Sequence, residues 1–152
     1  MTVLEPGPGM GFFTIELARR VAPSGRVIAV DLQPRMLDKL RNRAEKTGLL
    51  ERIQLRQATA ESLGLDDLES TIDFVLAFAM VHEMPSAIAF FEQAVRTMKP
   101  GATLLLAEPA GHVKPADFAA ELAQAAQAGL QLVERPAISR THTAVFTKPA
   151  GS

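Results

Sequence analysis

The chain predicts an α/β fold: a doubly wound, mostly parallel sheet of seven strands with an antiparallel last strand. Three observations lead there. Apolar runs alternate with amphipathic stretches from end to end, the pattern of strands and their covering helices. The run Arg26 to Asp31 (RVIAVD) is almost continuously apolar and rich in β-branched residues, as in a strand buried on both faces. Near the C-terminus two strand-like segments follow one another with no helix between them, so as neighbours they must pair antiparallel.

Taken in order, Thr2 to Glu5 is a short strand stopped by the turn Pro6-Gly7-Pro8-Gly9. From Gly11 to about Ala22, Phe12, Ile15, Ala18 and Ala22 recur at helical spacing, with Leu17 and Val21 widening the apolar face, and Pro23-Ser24-Gly25 ends the helix. After the second strand, Pro34 suits the first turn of a helix that carries Met36, Leu37, Leu40 and Ala44 and stops at Gly48. Ile53 to Arg56 is a third, weaker strand, and Ile72 to Phe78 (IDFVLAF) is a strong fourth. Ser86 to Met98 is helical, Lys99-Pro100-Gly101 ends it, and Ala102 to Glu108 (ATLLLAE) is the fifth strand. Pro115 to Ala128 is helical and holds seven alanines, which raise helix propensity and allow close packing. Leu130 to Glu134 and Thr141 to Phe146 form the closing hairpin. Five β-α units thus precede that hairpin. Right-handed crossovers place helices on both faces of the sheet, and the ligand crevice belongs at the carboxyl ends of the strands, near the switch point.

Composition bounds the function. The 152 residues fit one domain, 1–152, whose first residues already read as a core strand without a lead-in. With 16 Lys plus Arg against 17 Asp plus Glu, the chain lacks the basic excess of a dedicated nucleic-acid binder. The basic residues Arg35, Lys39, Arg41, Arg43 and Lys46 run along one helix interleaved with Leu37 and Leu40, as on a solvated face. The absence of cysteine removes a disulfide scaffold, a thiolate zinc site and a cysteine nucleophile. No His-pair or acid-rich metal constellation appears either. No apolar run approaches the ~18 residues of a membrane span, and no basic segment precedes Val3-Leu4 as in a signal peptide. A soluble, cytoplasmic protein is expected.

The most informative segment is Glu5-Pro6-Gly7-Pro8-Gly9-Met10-Gly11, directly after a strand and directly before a helix. Its glycines permit a tight turn and the approach of a ligand to bare backbone. The dinucleotide fingerprint G-x-G-x-x-G is not met, because residue 12 is Phe and the third glycine falls one place early. Glu5 at the strand tip would repel a pyrophosphate but favour a cationic ligand or one rich in hydroxyl and ammonium donors. Asp31 closes the second strand, 20 residues past Gly11, where an acid can accept two hydrogen bonds from a ribose diol. It could also serve the start of the following helix, and the two roles are compatible.

These segments resemble the class I S-adenosylmethionine-dependent methyltransferases, near the small-molecule branch that includes the quinone-biosynthesis enzymes. The resemblance covers nearly the whole chain, from Thr2 to about Lys148. E-P-G-P-G-M-G is similar to the family's first motif, V-D-L-Q-P (30 to 34) to its post-motif acid, and M-K-P-G-A (98 to 102) to its turn before the fifth strand. The resemblance implies a Rossmann-like seven-stranded sheet with a reversed last strand. It implies S-adenosylmethionine as cofactor and S-adenosylhomocysteine as product. Glu5 would anchor the methionine end, the backbone of Gly7, Gly9 and Gly11 would line methionine and ribose, and Asp31 would hold the ribose hydroxyls. Leu32 would pack on the adenine. The family often carries G-D-A after its third strand, where this chain has Ala58-Thr59-Ala60-Glu61. Either Thr59 takes the acid's place or Glu61 serves from two residues later; the reading favours Glu61, with Ala60 supplying backbone contact. Family members usually have helices before the first strand that cover the site. Their absence here suggests a lidless core whose open cofactor site a homo-oligomer could cover.

Methyl transfer needs alignment and dryness more than it needs acid–base groups, because the sulfonium is already a reactive donor. After the fourth strand, Ala79 to Pro85 (AMVHEMP) resembles the family's H-x-x-P segment, and His82 is the candidate for proton transfer, with a turn-positioning role as the alternative. Glu108 and His112 are weaker candidates on the acceptor side, and His142 reads as structural. No N/D-P-P-Y/F segment follows the fourth strand, so the resemblance does not extend to amino-methyltransferases. The lack of cysteine excludes thiolate-dependent arsenic methylation. The leading reading is an S-adenosylmethionine-dependent methyltransferase acting in line on a small molecule. The alternative is a cofactor-binding domain without turnover of its own, acting in an oligomer or complex. An NAD-dependent oxidoreductase ranks below both.

Overall fold

Strands whose interior positions are all apolar need cover on two faces, and the alternation of side chains sorts them between two cores. β1 (Thr2–Pro6) and β2 (Arg26–Asp31) run parallel with Val3 beside Val27 and Leu4 beside Ile28. Val3, Val27 and Ala29 join one core with Ile15, Ala18, Leu40 and Ala44. Leu4, Ile28 and Val30 join the other with Phe90, Phe91 and Phe118. In the computed structural model, which describes residues 1–9, 11–21 and 23–150, α1 (Phe12–Arg20) and α2 (Pro34–Thr47) cover the first face. α3 (Ala87–Thr97) and α4 (Pro115–Gln127) cover the second.

The remaining strands are β3 (Ile53–Gln57), β4 (Ile72–Phe78), β5 (Met98–Pro109), β6 (Gln131–Glu134) and β7 (Thr141–Thr147), and the sheet order is β3-β2-β1-β4-β5-β7-β6. β1 to β5 are parallel, while β7 inserts between β5 and β6 and runs antiparallel to both. The expected sheet, with helices on both faces and a reversed last strand, is therefore the observed one. Strand order reverses between β1 and β4, and the two parallel neighbours diverge into helices on opposite faces there.

Three local departures have physical causes. The third β-α unit has no α-helix: β3 leads to a single 3₁₀ turn, Asp66–Leu68. Gly64 adopts the left-handed conformation just before it, and Arg56 holds Asp67 by two hydrogen bonds of 2.7 and 2.6 Å. α3 stops at Thr97 and Met98 already pairs with Ile72, so Lys99-Pro100-Gly101 lies inside β5 instead of ending a helix. A residue before proline is driven to extended backbone, which lets the strand begin early. Lys148 then takes up carbonyls that the helix end leaves, its Nζ reaching Val95 O at 3.0 Å and Met98 O at 2.9 Å. Finally, Phe12 is not part of the helix's core face. It is 63% exposed and its ring lies 4.2 Å from the Arg43 guanidinium, so the buried stripe of α1 is Thr14, Ile15 and Ala18. Ala22, assigned to that stripe from its spacing, lies outside the described residues, as does Met10 of the glycine turn.

Candidate functional site

At the carboxyl ends of β1, β2 and β4 a cleft of about 560 Å³ opens, within the usual size range of small-molecule sites. Its floor is Glu5 with the backbone of Pro6 to Gly9, one wall is Val30 to Gln33, and another is Phe78 to Met80 with Glu83 to Pro85. The turn after β1 makes the floor accessible because Gly7 and Gly9 sit at φ +66° and +58°, left-handed conformations that a side chain would strain. At Gly7 there is also no room, since an added Cβ would stand 3.0 Å from Met80 Cβ. The Gly7 N–H donates to Val30 O at 2.7 Å, tying the turn to the end of β2.

Glu5 is 3% exposed and accepts a hydrogen bond from the hydroxyl of buried Thr14. Burial pushes its pKa up to about 7, against a smaller downward pull from Thr14. A carboxyl of this kind is half-charged near neutrality and favours a cationic neighbour. Asp31 lines the cleft at the next strand end, its Oδ1 accepting the Gln33 N–H at 2.9 Å in the turn ahead of α2; it does not cap that helix, whose N-cap is Gln33 with no side-chain cap hydrogen bond. Leu32 is 53% exposed at the cleft wall, an apolar surface open to a flat ligand.

Of the residues singled out in the sequence, Glu5, Gly7, Gly9, Asp31, Leu32, Thr59 and Ala60 meet at this cleft, while Gly11, Glu61, His82, Glu108, His112 and His142 do not line it. Gly11 starts α1 at φ +88°, and an added Cβ would lie 2.4 Å from Leu40 Cδ1, so its small size serves the packing of α1 on α2. Glu61 is exposed at the outer corner of a turn closed by Thr59 N–H to Ser62 O (2.9 Å) and Ser62 N–H to Thr59 Oγ1 (3.1 Å). That turn brings Thr59 and Ala60 to the cleft. His82 turns its Nδ1 to Glu108 Oε1, 2.9 Å away, and only its neighbour Glu83 lines the cleft. His142 bonds Val113 O through Nε2 at 3.0 Å and stacks on Phe118, in keeping with a structural role. Among the described residues no cluster of His, Asp and Glu could hold a metal ion.

Sequence reasoning passed over the apolar wall: Phe12, Phe13, Met36, Phe78, Met80 and Met84 all line the cleft. Phe13 and Phe78 meet with ring centroids 4.9 Å apart. The available signal was position alone. Residues just after a glycine turn and just past a strand's carboxyl end face the crevice, whatever their hydropathy.

Comparison with known proteins agrees with this geometry. The family described as Methyltransferase domain matches residues 3–101. The chain is 32% identical over 106 residues to the ubiquinone/menaquinone biosynthesis C-methyltransferase UbiE of Pasteurella multocida, covering 70% of this chain and 39% of that protein. It is 29% identical over 107 residues to the arsenite methyltransferase of Halobacterium salinarum, covering 70% and 27%. The chain thus spans less than half the length of these curated relatives. In structure it resembles a SAM-dependent methyltransferase from Aquifex aeolicus with a TM-score of 0.85 at 23% identity, covering 97% of this chain and 82% of that one. It also resembles the [4+2]-cyclase SpnF, with a TM-score of 0.84 at 16% identity over 99% and 76%, a likeness that speaks to the fold alone. The profile match over most of the chain, set on the fold and glycine turn already described, places this chain in the methyltransferase domain family of class I, S-adenosylmethionine-dependent proteins.

Proposed function

We propose that the protein transfers the methyl group of S-adenosylmethionine, in line, to a small molecule bound in the same cleft. The observation that carries this reading is the meeting of a buried acid, Glu5, a strand-end acid, Asp31, and open left-handed backbone at Gly7 and Gly9 around one cavity. Those groups suit a ligand with a cationic amino-acid end and a ribose diol. In this reading Glu5 anchors the methionine end, Gly7 and Gly9 line it, Gly11 shapes the turn and Asp31 holds the ribose. Leu32 packs on the adenine and Ala60, beside Thr59, meets its edge; Glu61 at the outer corner is secondary. The bound cofactor supplies an activated methyl group on a sulfonium.

The chain's own residues then have three tasks. Phe13, Phe78, Met80 and Met84 form an apolar wall that holds a partly apolar acceptor and keeps water away. Glu83 stands at the cleft edge with His82 behind it as the titratable pair nearest the acceptor. The names of the relatives point to quinone-type and arsenite acceptors, and the absence of cysteine in this chain favours an acceptor of the first kind. The near balance of charge supports a small molecule over a nucleic acid. No helix among the described residues is long and apolar enough to cross a membrane, and we read the setting as cytoplasmic.

Calorimetric titration tests the ligand: S-adenosylhomocysteine should release heat and NAD should not. Silence with S-adenosylhomocysteine ends the proposal. A second reading, a cofactor-binding domain without turnover of its own, draws on the rim. Phe12, Phe13 and Leu32 are all exposed at the cleft mouth, as on a surface awaiting cover from a second copy or a partner. Methyl-transfer screens on this chain alone and extended by its upstream sequence separate the two readings, and sedimentation of the chain tests the second copy.

A further inference from the structure

The charged side chains of the cleft are all of one sign. Among the described residues that line it, Glu5, Asp31 and Glu83 are acidic, and no Lys, Arg or His is present. The cations of α2 stay outside the lining, and Arg43 is held on the ring of Phe12, which is 63% exposed at the mouth. In the cofactor reading two of the three acids are taken, Glu5 by the amino-acid end and Asp31 by the ribose. Glu83 remains. It shares its wall with Met84 and Pro85, beside Phe78 and Met80.

The backbone beneath Glu83 is fixed from both sides. Ala79 leaves β4 at φ +55°, a left-handed conformation unfavourable for a residue with a Cβ, and its N–H donates to Ala107 O at 2.8 Å. The chain then closes a single 3₁₀ turn, Val81–Glu83. In it the Glu83 N–H reaches Met80 O at 3.1 Å and the Met84 N–H reaches Val81 O at 3.0 Å. Val81 is buried, and Glu108 of β5 accepts the His82 backbone N–H at 3.0 Å. The Glu83 side chain itself is 74% exposed. His82 Nε2, 3.6 Å from Glu83 Oε1, lies beyond hydrogen-bond reach, so the carboxylate is not spent on that ring.

We propose that Glu83 is a specificity-determining residue: the cleft takes an uncharged acceptor with a flat apolar body and a hydroxyl or amine that donates to the Glu83 carboxylate, and it rejects carboxylates and phosphates. An anion entering here meets a like charge beside an apolar wall and finds no cation to replace the water it sheds. A neutral donor gains a charge-assisted hydrogen bond at the same place. The cofactor's own carboxylate escapes this rule because the adjacent ammonium offsets its charge. The role of the occupant as methyl acceptor rests on the methyltransferase reading above; the charge preference of the cleft does not.

The test uses three naphthalenes of similar shape: 2-naphthol, 2-methoxynaphthalene, which lacks the donor, and 2-naphthoate, which is anionic at neutral pH. The chain has no Trp or Tyr, so naphthalene fluorescence is read without their emission. On the full chain saturated with S-adenosylhomocysteine, 2-naphthol should bind best, and 2-methoxynaphthalene about tenfold more weakly. The 2-naphthoate anion should bind about a hundredfold more weakly than 2-naphthol. Glu83→Gln keeps an accepting oxygen but removes the charge. It should raise 2-naphthoate affinity about tenfold and hold 2-naphthol within about threefold of the wild type. Glu83→Leu removes the accepting oxygen as well and should abolish the advantage of 2-naphthol over 2-methoxynaphthalene. Both changes fall on an exposed side chain, away from the core. No binding of 2-naphthol, 2-naphthoate bound as tightly as 2-naphthol, or preferences unmoved by both variants would each overturn the proposal. Calorimetry with S-adenosylhomocysteine, and the same titrations in its absence, keep the two questions apart. Failure of the cofactor reading removes that heat but leaves the order of the three probes as it is.

Discussion

The Glu5 carboxylate at the end of β1 accepts a hydrogen bond from the Thr14 hydroxyl in the first turns of α1, and both side chains are buried. The pair ties the cleft floor to the helix that follows the glycine turn. It also sets an acid whose charge depends on what enters the cleft.

The first prediction follows from the raised pKa of Glu5, about 7 against an ordinary value of 4.5. Between those values the folded chain holds a proton that the unfolded chain has lost, so stability falls as pH rises from about 4.5 to about 7 and is level above. The total is on the order of 3 kcal/mol. Thermal melts of wild type and Glu5→Gln over this range should converge at acid pH and separate toward neutrality, with Glu5→Gln the more stable at pH 7 and above. Parallel profiles would contradict the assignment.

The same acid predicts the pH dependence of binding. A ligand with a cationic end favours ionised Glu5, so below pH 7 its affinity should rise with pH, approaching tenfold per unit, and then level off. Calorimetry with S-adenosylmethionine across that range should show this rise in the wild type and a flat profile in Glu5→Gln.

Asp31 is expected to contribute through ribose hydrogen bonds. Asp31→Ala should weaken S-adenosylhomocysteine binding by about 1–3 kcal/mol. Affinity unchanged in the same titration would remove Asp31 from the ligand's contacts.

The glycines of the turn should separate by phenotype. Gly11→Ala must place a Cβ 2.4 Å from Leu40 Cδ1, a fully buried side chain, at φ +88°. Denaturant unfolding should show a loss of about 2–4 kcal/mol from overpacking and left-handed strain together. Gly9→Ala meets nothing within 4 Å and should lose only about 1–2 kcal/mol of backbone strain. Its added methyl group nevertheless stands at the cleft lining, so ligand affinity should fall more than stability does.

Much of this was legible in the chain because it is local. Strands β1, β2, β4 and β5 announce themselves as short apolar runs, and β6 and β7 by having no helix between them. Glu5 and Asp31 are legible for the same reason: a strand-end acid next to a glycine turn is defined by neighbours in sequence. Phe12 shows where periodicity misleads. Its spacing from Ile15 fits a core stripe, yet the ring is left exposed against Arg43. His82 and Glu108 illustrate the other limit, being 26 residues apart and meaningful only as a pair.

The sequence by itself determined the α/β class, the glycine turn and the two acids that bracket it, because strand pattern, turn chemistry and strand-end position are properties of short segments. Tertiary structure alone decided that Gly11 packs against Leu40, that Thr59 and Ala60 reach the cleft while Glu61 does not, and that a buried Glu121–Glu108 pair stands behind His82. The physical reason is shared. Packing distance, desolvation and the pairing of charges arise between segments far apart in the chain, and they exist only once the crossovers have brought β4, β5 and α4 together.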